Sequence, residues 1–563
     1  MSLARPDHAQ ETYDVAAGSP RMRGRRALVV LVASTDRDVD PWRDRFADQN
    51  VRVLWTGDLP KEPKARAGDA AFADSAALRE LLRRMPPVDC FVDLRTATHS
   101  SRVELWGWAY YFLRPGGLYV VSAPTARAGR QSRAGASTLA AWVSGAAGSV
   151  SGFTEAELKE LTAATARSSI RADLSWFRRR RAYAVTVTER DADEVLPQRL
   201  RKASHEVLLT LPGGRFESPA VVDHHEPARM PRRVESVLDV PPMTLRRYEG
   251  DIGFHGHMAF SVESTVLPSS FRYPWGNAKY LMLPHQPFSA HQNTVYRLRD
   301  ASKAPLLPDA EYVDLTHPFH GHFGHLIAQT VARLWALDEI EARYPDARFL
   351  LPEPTASIGR DRRPYEMLFA AGVPRDRVTW VSKPARLRRL IVPSLGLQYS
   401  PSLFVHPAVA ETWSRMREQL VEVDPSSPRK IFVSRRYGVK KRGCRNASAV
   451  DQLFEDHGFT VVYPEDHPLE GQAKLFGNAR VIAGFGGSGM YNSIFADHLD
   501  AMIILNSQSY SGRTEHLIGL TKADRVDYFW NPPLESEGAD YTSPWEFDFN
   551  RNGGALRALL ASL

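Results

Sequence analysis

The sequence predicts an α/β protein built on parallel, doubly wound sheets, and three observations predict it. Short apolar runs rich in β-branched residues recur along the chain, as in ALVVLVAST (Ala27–Thr35), and such runs suit strands covered on both faces. Segments with the apolar spacing of helices lie between them, as at Trp42 and Phe46. Strand and helix alternate over residues 24–130, again from Ala347, and a third time from Arg429, which is the rhythm of βαβ units.

The elements follow in order. Residues 1–23 are polar and small, and are expected as a disordered lead. Residues 24–130 form a Rossmann-like domain, with strands at Ala27–Thr35, Val51–Gly57, Val88–Leu94 and after Arg114, and helices at Asp36–Asn50, Ala71–Met85 and Arg102–Leu113. The segment FLRPGGLYVV resembles a late turn of class I methyltransferases. The loop after the first strand (Ala33 to Asp38) has no glycine, and its Cβ atoms would crowd a cofactor backbone approach. A degenerate, cofactor-free domain is therefore expected. Residues 131–240 read as a linker and small α/β region, with an amphipathic helix at Glu155–Ala166. The arginine run Arg178–Arg181 reads as a solvated face beside a strand (Ala182–Thr188).

The chain of 563 residues is 43% apolar and 24% charged, enough for several cores in an ordinary soluble protein. A net charge of +7, from 72 basic and 65 acidic residues, suits anionic small partners or a peripheral membrane contact, and demands no nucleic acid. Two cysteines, Cys90 and Cys444, with no CxxC, exclude a disulfide framework and fit a reducing cytoplasm. The N-terminus lacks an apolar signal region, and no run of ~20 apolar residues occurs. The expected location is cytoplasmic, with contact at the inner face of the membrane open.

The C-terminal half carries the chemistry. In an open parallel sheet, ligands bind beyond the carboxyl ends of strands. One such end is Ser434-Arg435-Arg436, followed by the basic loop with Lys440, Lys441, Arg442 and Arg445. Another is Gly484-Phe485-Gly486-Gly487-Ser488-Gly489. Glycines let a backbone approach phosphate, a helix start offers unpaired N–H groups, and guanidinium groups fork onto phosphate oxygens. Together they describe a diphosphate site. His325 opens an apolar helix after Gly321 and Gly324. His317, His320, His322 and His325, with the pair His255 and His257, offer imidazoles, but no metal-binding frame accompanies them, and no metal is assigned.

These residues resemble glycosyltransferase family 61 over about 300 residues. His325 and Arg333 match its helix, and Ser434, Arg435 and Arg436 its strand end. Arg442 and Asn446 match its basic loop, Gly458-Phe459 and Pro464-Glu465 the next strand, Gln472 a helix glutamine, and Gly484, Gly487, Gly489 and Asn492 the glycine-rich turn. The resemblance implies a GT-B-like pair of Rossmann-like domains, here preceded by the extra N-terminal one. The acceptor side would be residues 241–400 and the donor side residues 401–540, with a C-terminal helix or tail at 541–563. It implies an inverting hexosyl- or pentosyltransferase, without a covalently bound cofactor or required metal. Such an enzyme moves sugar from a nucleotide-diphosphate donor to a glycan, capsule or cell-wall polysaccharide acceptor. His325 is the expected base and Glu465 its reserve. Arg435, Arg436, Lys441, Arg442, Asn446, Gln472, Gly484, Gly487, Ser488, Gly489 and Asn492 would hold the donor. The chain departs from the pattern at Gln329 (an acid), Ala332 (proline), Ala447 (glutamate) and Gly486 (histidine). Alternative readings are a catalytically weakened nucleotide- or glycan-binding protein, and a bifunctional methyltransferase–glycosyltransferase.

Overall fold

The computed structural model describes residues 10, 13–14, 26–34, 39–56, 69–95, 97–122, 154–169, 174–225, 236–275, 283, 286–290, 293–317, 319, 322–353, 363–400, 402–436, 442–510, 512–534, 540 and 542–563. The chain forms two compact units. The first comprises Met1–Ser204, Phe260–Pro268 and His285–Asp300, and the second His205–Ala259, Ser269–Pro284 and Ala301–Leu563.

In the first unit, the apolar runs become a sheet in the order Ala70–Phe72, Asn50–Thr56, Leu28–Ala33, Val88–Asp93, Leu113–Ser122, Leu174–Arg179, Thr165–Ser169. The first five strands are parallel, Leu174–Arg179 runs antiparallel to them, and Thr165–Ser169 runs antiparallel to Leu174–Arg179. Alternate residues of Leu28–Ala33 enter separate cores, Leu28, Val30 and Val32 with Trp106 and Tyr119, and Val29, Leu31 and Ala33 with Trp42 and Phe46. That is the doubly covered strand expected from its composition. The sheet reaches past residue 130 because Thr165–Ser169 and Leu174–Arg179 extend it. The arginine run is not a solvated face throughout. Arg179 is 1% exposed, and its Nη1 donates to the Tyr110 and Tyr111 carbonyls at 3.1 and 2.7 Å. Those carbonyls end a helical segment, where the Leu113 N–H also donates to that of Tyr110, and the buried cation caps both. Thr35 to Asp38, which bear on cofactor approach, lie outside the described residues.

Beside the two-stranded pairs Gly214–Glu217 with Val237–Val240 and Leu397–Gln398 with Phe404–Val405, the second unit has two large sheets. In one, Met243–Phe254 runs antiparallel to Ala385–Pro393, and Glu311–Asp314, Arg348–Pro352 and Val378–Val381 follow in parallel. The other sheet is wholly parallel. Its strands are β1 (Val221–His225), β2 (Lys430–Val433), β3 (Thr460–Val462), β4 (Val481–Phe485), β5 (Ala501–Ser507) and β6 (Arg525–Asn531), in the order β1-β6-β5-β4-β2-β3. Strand β1 comes from the stretch read as a linker and small α/β region. Helices Ala447–Glu455 and Leu469–Asn478 lie between strands of this sheet, and the chain closes on helix Phe549–Ser562. One apolar core unites the two sheets, from Leu245 and Ile391 through Ile327 and Trp413 to Ile482 and Ile504.

The predicted apolar helix is present and changes pitch as it goes. It opens as an α-turn at Phe323–His325, widens to a π-turn at Leu326–Thr330, tightens to 3-10 at Val331–Ala336, and returns to α at Leu337–Arg343. Such mid-helix irregularity is common at functional sites. The broken ladder is compensated from outside, since the Gly396 N–H donates to the Ala332 carbonyl at 3.1 Å. Arg333, 2% exposed, is fixed by Asp314, 0% exposed, at 3.1 Å, and by the Ser269 carbonyl at 3.1 Å. Asp314 also accepts from the Thr316 N–H and hydroxyl. Asp314→Ala strips a buried cation of its counter-charge. It should cost about 3–5 kcal/mol of stability, visible as a lowered denaturant midpoint with unchanged m-value.

Candidate active site

Strand register builds the site. Val433 of β2 stands level with Gly484 of β4, so the residues that leave β2 meet the glycine-rich turn that leaves β4. Arg435 donates from Nη2 to the Gly486 carbonyl. Gly487 adopts φ +136°, a conformation that side chains disfavour. A Cβ there would fall 2.3 Å from Arg435 Nη2 and 3.4 Å from Arg442 Nη1. The bare backbone thus lets two guanidinium groups converge on the turn. Neither has a carboxylate within salt-bridge distance among the described residues. Beyond Gly487 the chain forms a 3-10 helix, Ser488–Phe495, where an ordinary helix start was expected.

Arg442 is held in place by its backbone. Its φ is +59°, its N–H donates to the Thr542 carbonyl at 2.8 Å, and its carbonyl accepts from Trp545 Nε1 at 3.2 Å. Its guanidinium lies 4.5 Å from the Tyr510 ring. Arg435 is less basic than a free arginine, first because it is buried and then because Arg442 is near, but it remains a cation.

A cavity of about 430 Å³ opens beside the turn, with Arg442, Ser488, Tyr491 and Tyr510 on its wall together with His322, His325, Arg272 and Tyr399. Gly324 makes this possible, because a Cβ there would meet Tyr491 Cε2 at 2.8 Å and Ser488 Cβ at 3.2 Å. The close approach brings the start of the His325 helix against the glycine-rich turn. Arg272 is cradled 5.1 Å from the Tyr273 ring and 5.2 Å from Phe319, and donates from Nη2 to Tyr399 Oη at 2.7 Å.

His325 is set up as a neutral imidazole. Its Nδ1 lies 2.8 Å from Gln329 Oε1, one turn on. An amide oxygen only accepts, so Nδ1 carries the proton and Nε2 keeps a free lone pair. Burial lowers its pKa to about 4, aided by Arg272 and His322 and opposed by Gln329. The His317, Phe319 and His322 rings pack around it at 5.6, 4.9 and 4.9 Å; His320 lies outside the described residues. Gln329 occupies the position of an acid in the resemblance, and it orients the imidazole without charging it. Gln329→Glu should raise the His325 pKa by about one to three units, because a carboxylate favours the imidazolium. The ring signal of His325 in an NMR pH titration measures this.

Several other expected site residues do not line the cavity. Arg436 is exposed, paired with Asp466 and lying 4.0 Å from the Tyr463 ring. Glu465 is exposed on the turn Pro464–Asp466 and is not on the cavity wall. Asn446 spends its amide on the Phe547 backbone, accepting its N–H at 2.9 Å and donating to its carbonyl at 2.8 Å. Gln472 donates to the His467 carbonyl at 3.0 Å. Asn492 is buried and ties down the Gly489 carbonyl at 3.2 Å. Gly484 and Gly489 let strand and turn close on Val433, whose nearest atoms would stand 2.6 and 3.1 Å from added Cβ atoms. Lys441 lies outside the described residues. Sequence reasoning missed Arg272 and Tyr399, whose only signal is an isolated cation among aromatic residues in FRYPW and a lone tyrosine after a strand.

Residues 323–503 match the sequence model of the family described as Glycosyltransferase 61. No curated protein matches the chain. Among solved structures, the chain is similar to the MycE methyltransferase from the mycinamycin biosynthetic pathway in complex with Mg and SAH, at 15% identity and a TM-score of 0.22, over 30% of this chain and 49% of that one. It is also similar to the S-adenosylmethionine-dependent methyltransferase SibL in its apo form, at 16% identity and a TM-score of 0.17, over 31% and 56% of the two chains. The chain thus spans about half the length of these structures, and so slight a likeness bears on neither fold nor chemistry.

Proposed function

We propose, from the premise that residues 323–503 carry a glycosyltransferase 61 sequence, that the second unit transfers a sugar from a nucleotide-diphosphate donor to a glycan hydroxyl, with inversion. The observation that supports this most is the convergence of His325 and the Arg435–Arg442 pair, from elements about a hundred residues apart, on one cavity and its adjoining turn. An inverting displacement needs a base for the acceptor proton and positive charge for the departing diphosphate. In this reading the acceptor oxygen attacks the anomeric carbon and its proton passes to His325 Nε2. The bond from that carbon to the diphosphate oxygen breaks, and the leaving group's charge falls to Arg435 and Arg442. Two guanidiniums supply what a cation would, so transfer should survive chelation of divalent metal.

A GT-B-like arrangement within the second unit, a hexosyl or pentosyl donor, and a capsule or cell-wall acceptor at the inner face of the membrane complete the proposal. Among the described residues no helix is long and apolar enough to cross a membrane. A second reading, a binding protein with weakened turnover, is favoured by Gln329 in place of an acid and by Gly486 in place of a histidine.

Thermal unfolding with a panel of nucleoside diphosphates and nucleotide sugars, with and without chelator, tests the reading. A ligand at ~100 times its Kd should add about 2.7 kcal/mol. Stabilisation by one base, with sugar transfer, supports the enzyme. Stabilisation without turnover supports the binding protein. No stabilisation by any nucleotide overturns both.

A further inference from the structure

Gly486 stands where the resemblance has a histidine, and other side chains fill that space. A Cβ on residue 486 would lie 2.2 Å from Asn506 Nδ2 and 3.0 Å from Glu515 Oε1. Register accounts for the first, since Phe485 pairs with Leu505 and the Gly486 N–H donates to the Leu505 carbonyl at 3.0 Å. Glu515 comes from the first turn of helix Thr514–Lys522 and is 0% exposed. Among the described residues, neither of its carboxylate oxygens receives a hydrogen bond from another residue. A carboxylate buried in this state is costly unless cations compensate it.

Cations meet the same turn. Arg435 donates to the carbonyl of Gly486, the residue whose α-carbon faces Glu515, and Arg442 flanks Gly487. A single glycine thus separates a buried carboxylate from the guanidinium pair assigned to the diphosphate.

We propose that Glu515 is a positioning residue of the diphosphate site, exchanging its proton with solvent while Arg435 and Arg442 hold no anion, and driven to the fully protonated acid when a diphosphate binds them. The inference rests on the diphosphate site of the proposed function. An anion at the two arginines withdraws their compensation from Glu515 and brings like charge near it, and both effects favour the neutral acid. The group is poised for this. Burial pushes its pKa up to about 7, against its own backbone N–H and the pull of Arg513, Arg442 and Arg435. The phenols of Tyr491, Tyr510 and Tyr528 also interact with it, and burial raises all three, so they stay protonated where Glu515 titrates. His516 follows on the same helix, its ring 5.4 Å from Tyr528. When the diphosphate leaves, the proton returns to solvent.

The test is calorimetric titration of the full-length protein with inorganic pyrophosphate at pH 7, in buffers of different ionisation enthalpy, for the wild type and Glu515→Gln. The wild type should take up about half a proton more per pyrophosphate than the variant, because a group half-protonated at that pH becomes fully protonated. Comparing the two proteins cancels the ligand's own protons. Equal uptake overturns the role of Glu515 and leaves the diphosphate site standing. Absence of pyrophosphate binding to the wild type overturns the site, and this proposal with it. If Glu515→Gln does not fold, infrared difference spectra of the wild type decide. A protonated-carboxyl C=O band should appear on pyrophosphate binding, and its absence overturns the proposal.

Discussion

His325→Ala should lower kcat for sugar transfer by about 10²–10⁴-fold, the usual contribution of a positioned general base, while leaving the Kd of the nucleotide close to that of the wild type. The expectation follows from the tautomer. Gln329 holds the proton on Nδ1, so the free lone pair belongs to Nε2 on a ring that lines the cavity. Because the pKa lies near 4, the ring is the neutral base throughout the neutral range, and the rate should fall only as pH drops toward 4. Steady-state rates of the wild type and the variant across pH 4–8 measure this. An unchanged kcat in the variant would remove His325 from the chemistry.

The second large effect is on binding. Arg435→Ala deletes a guanidinium that touches the glycine-rich turn and leaves Arg442 alone beside it. Losing a buried charge-assisted contact costs about 2–5 kcal/mol, so a nucleoside diphosphate should bind at least ~30-fold more weakly. Arg436→Ala is the control. Its side chain is exposed and already paired with Asp466, and pairs of that kind contribute little, so affinity should hardly move. Equal losses in the two variants, measured by calorimetry, would mean that the site lies elsewhere.

The parallel strands were legible because burial on both faces leaves a continuous apolar run, as in Leu28–Ala33 and Ala501–Ser507. Strand β1 was not, because Val221–His225 is a half-exposed edge whose sequence, VVDHH, carries no such run. The arginines at the strand ends were visible as a cluster, but Arg435 and Arg436 looked alike. The structure separates them, Arg435 on the turn and Arg436 on Asp466. Glu515 was invisible for a different reason. A lone acid in RTEHLIGLTK carries only one hint, its three-residue spacing from the buried Ile518. What makes it notable is a neighbour in space, set by the pairing of β4 with β5.

The contact of Gly486 with Asn506 and Glu515 constrains this turn. Any side chain at position 486 obliges the Asn506 amide to swing away and the Glu515 carboxylate to give ground, since its Cβ would stand 2.2 Å from Asn506 Nδ2 and 3.0 Å from Glu515 Oε1. The three positions therefore share one volume, and a change at one is felt first at the other two.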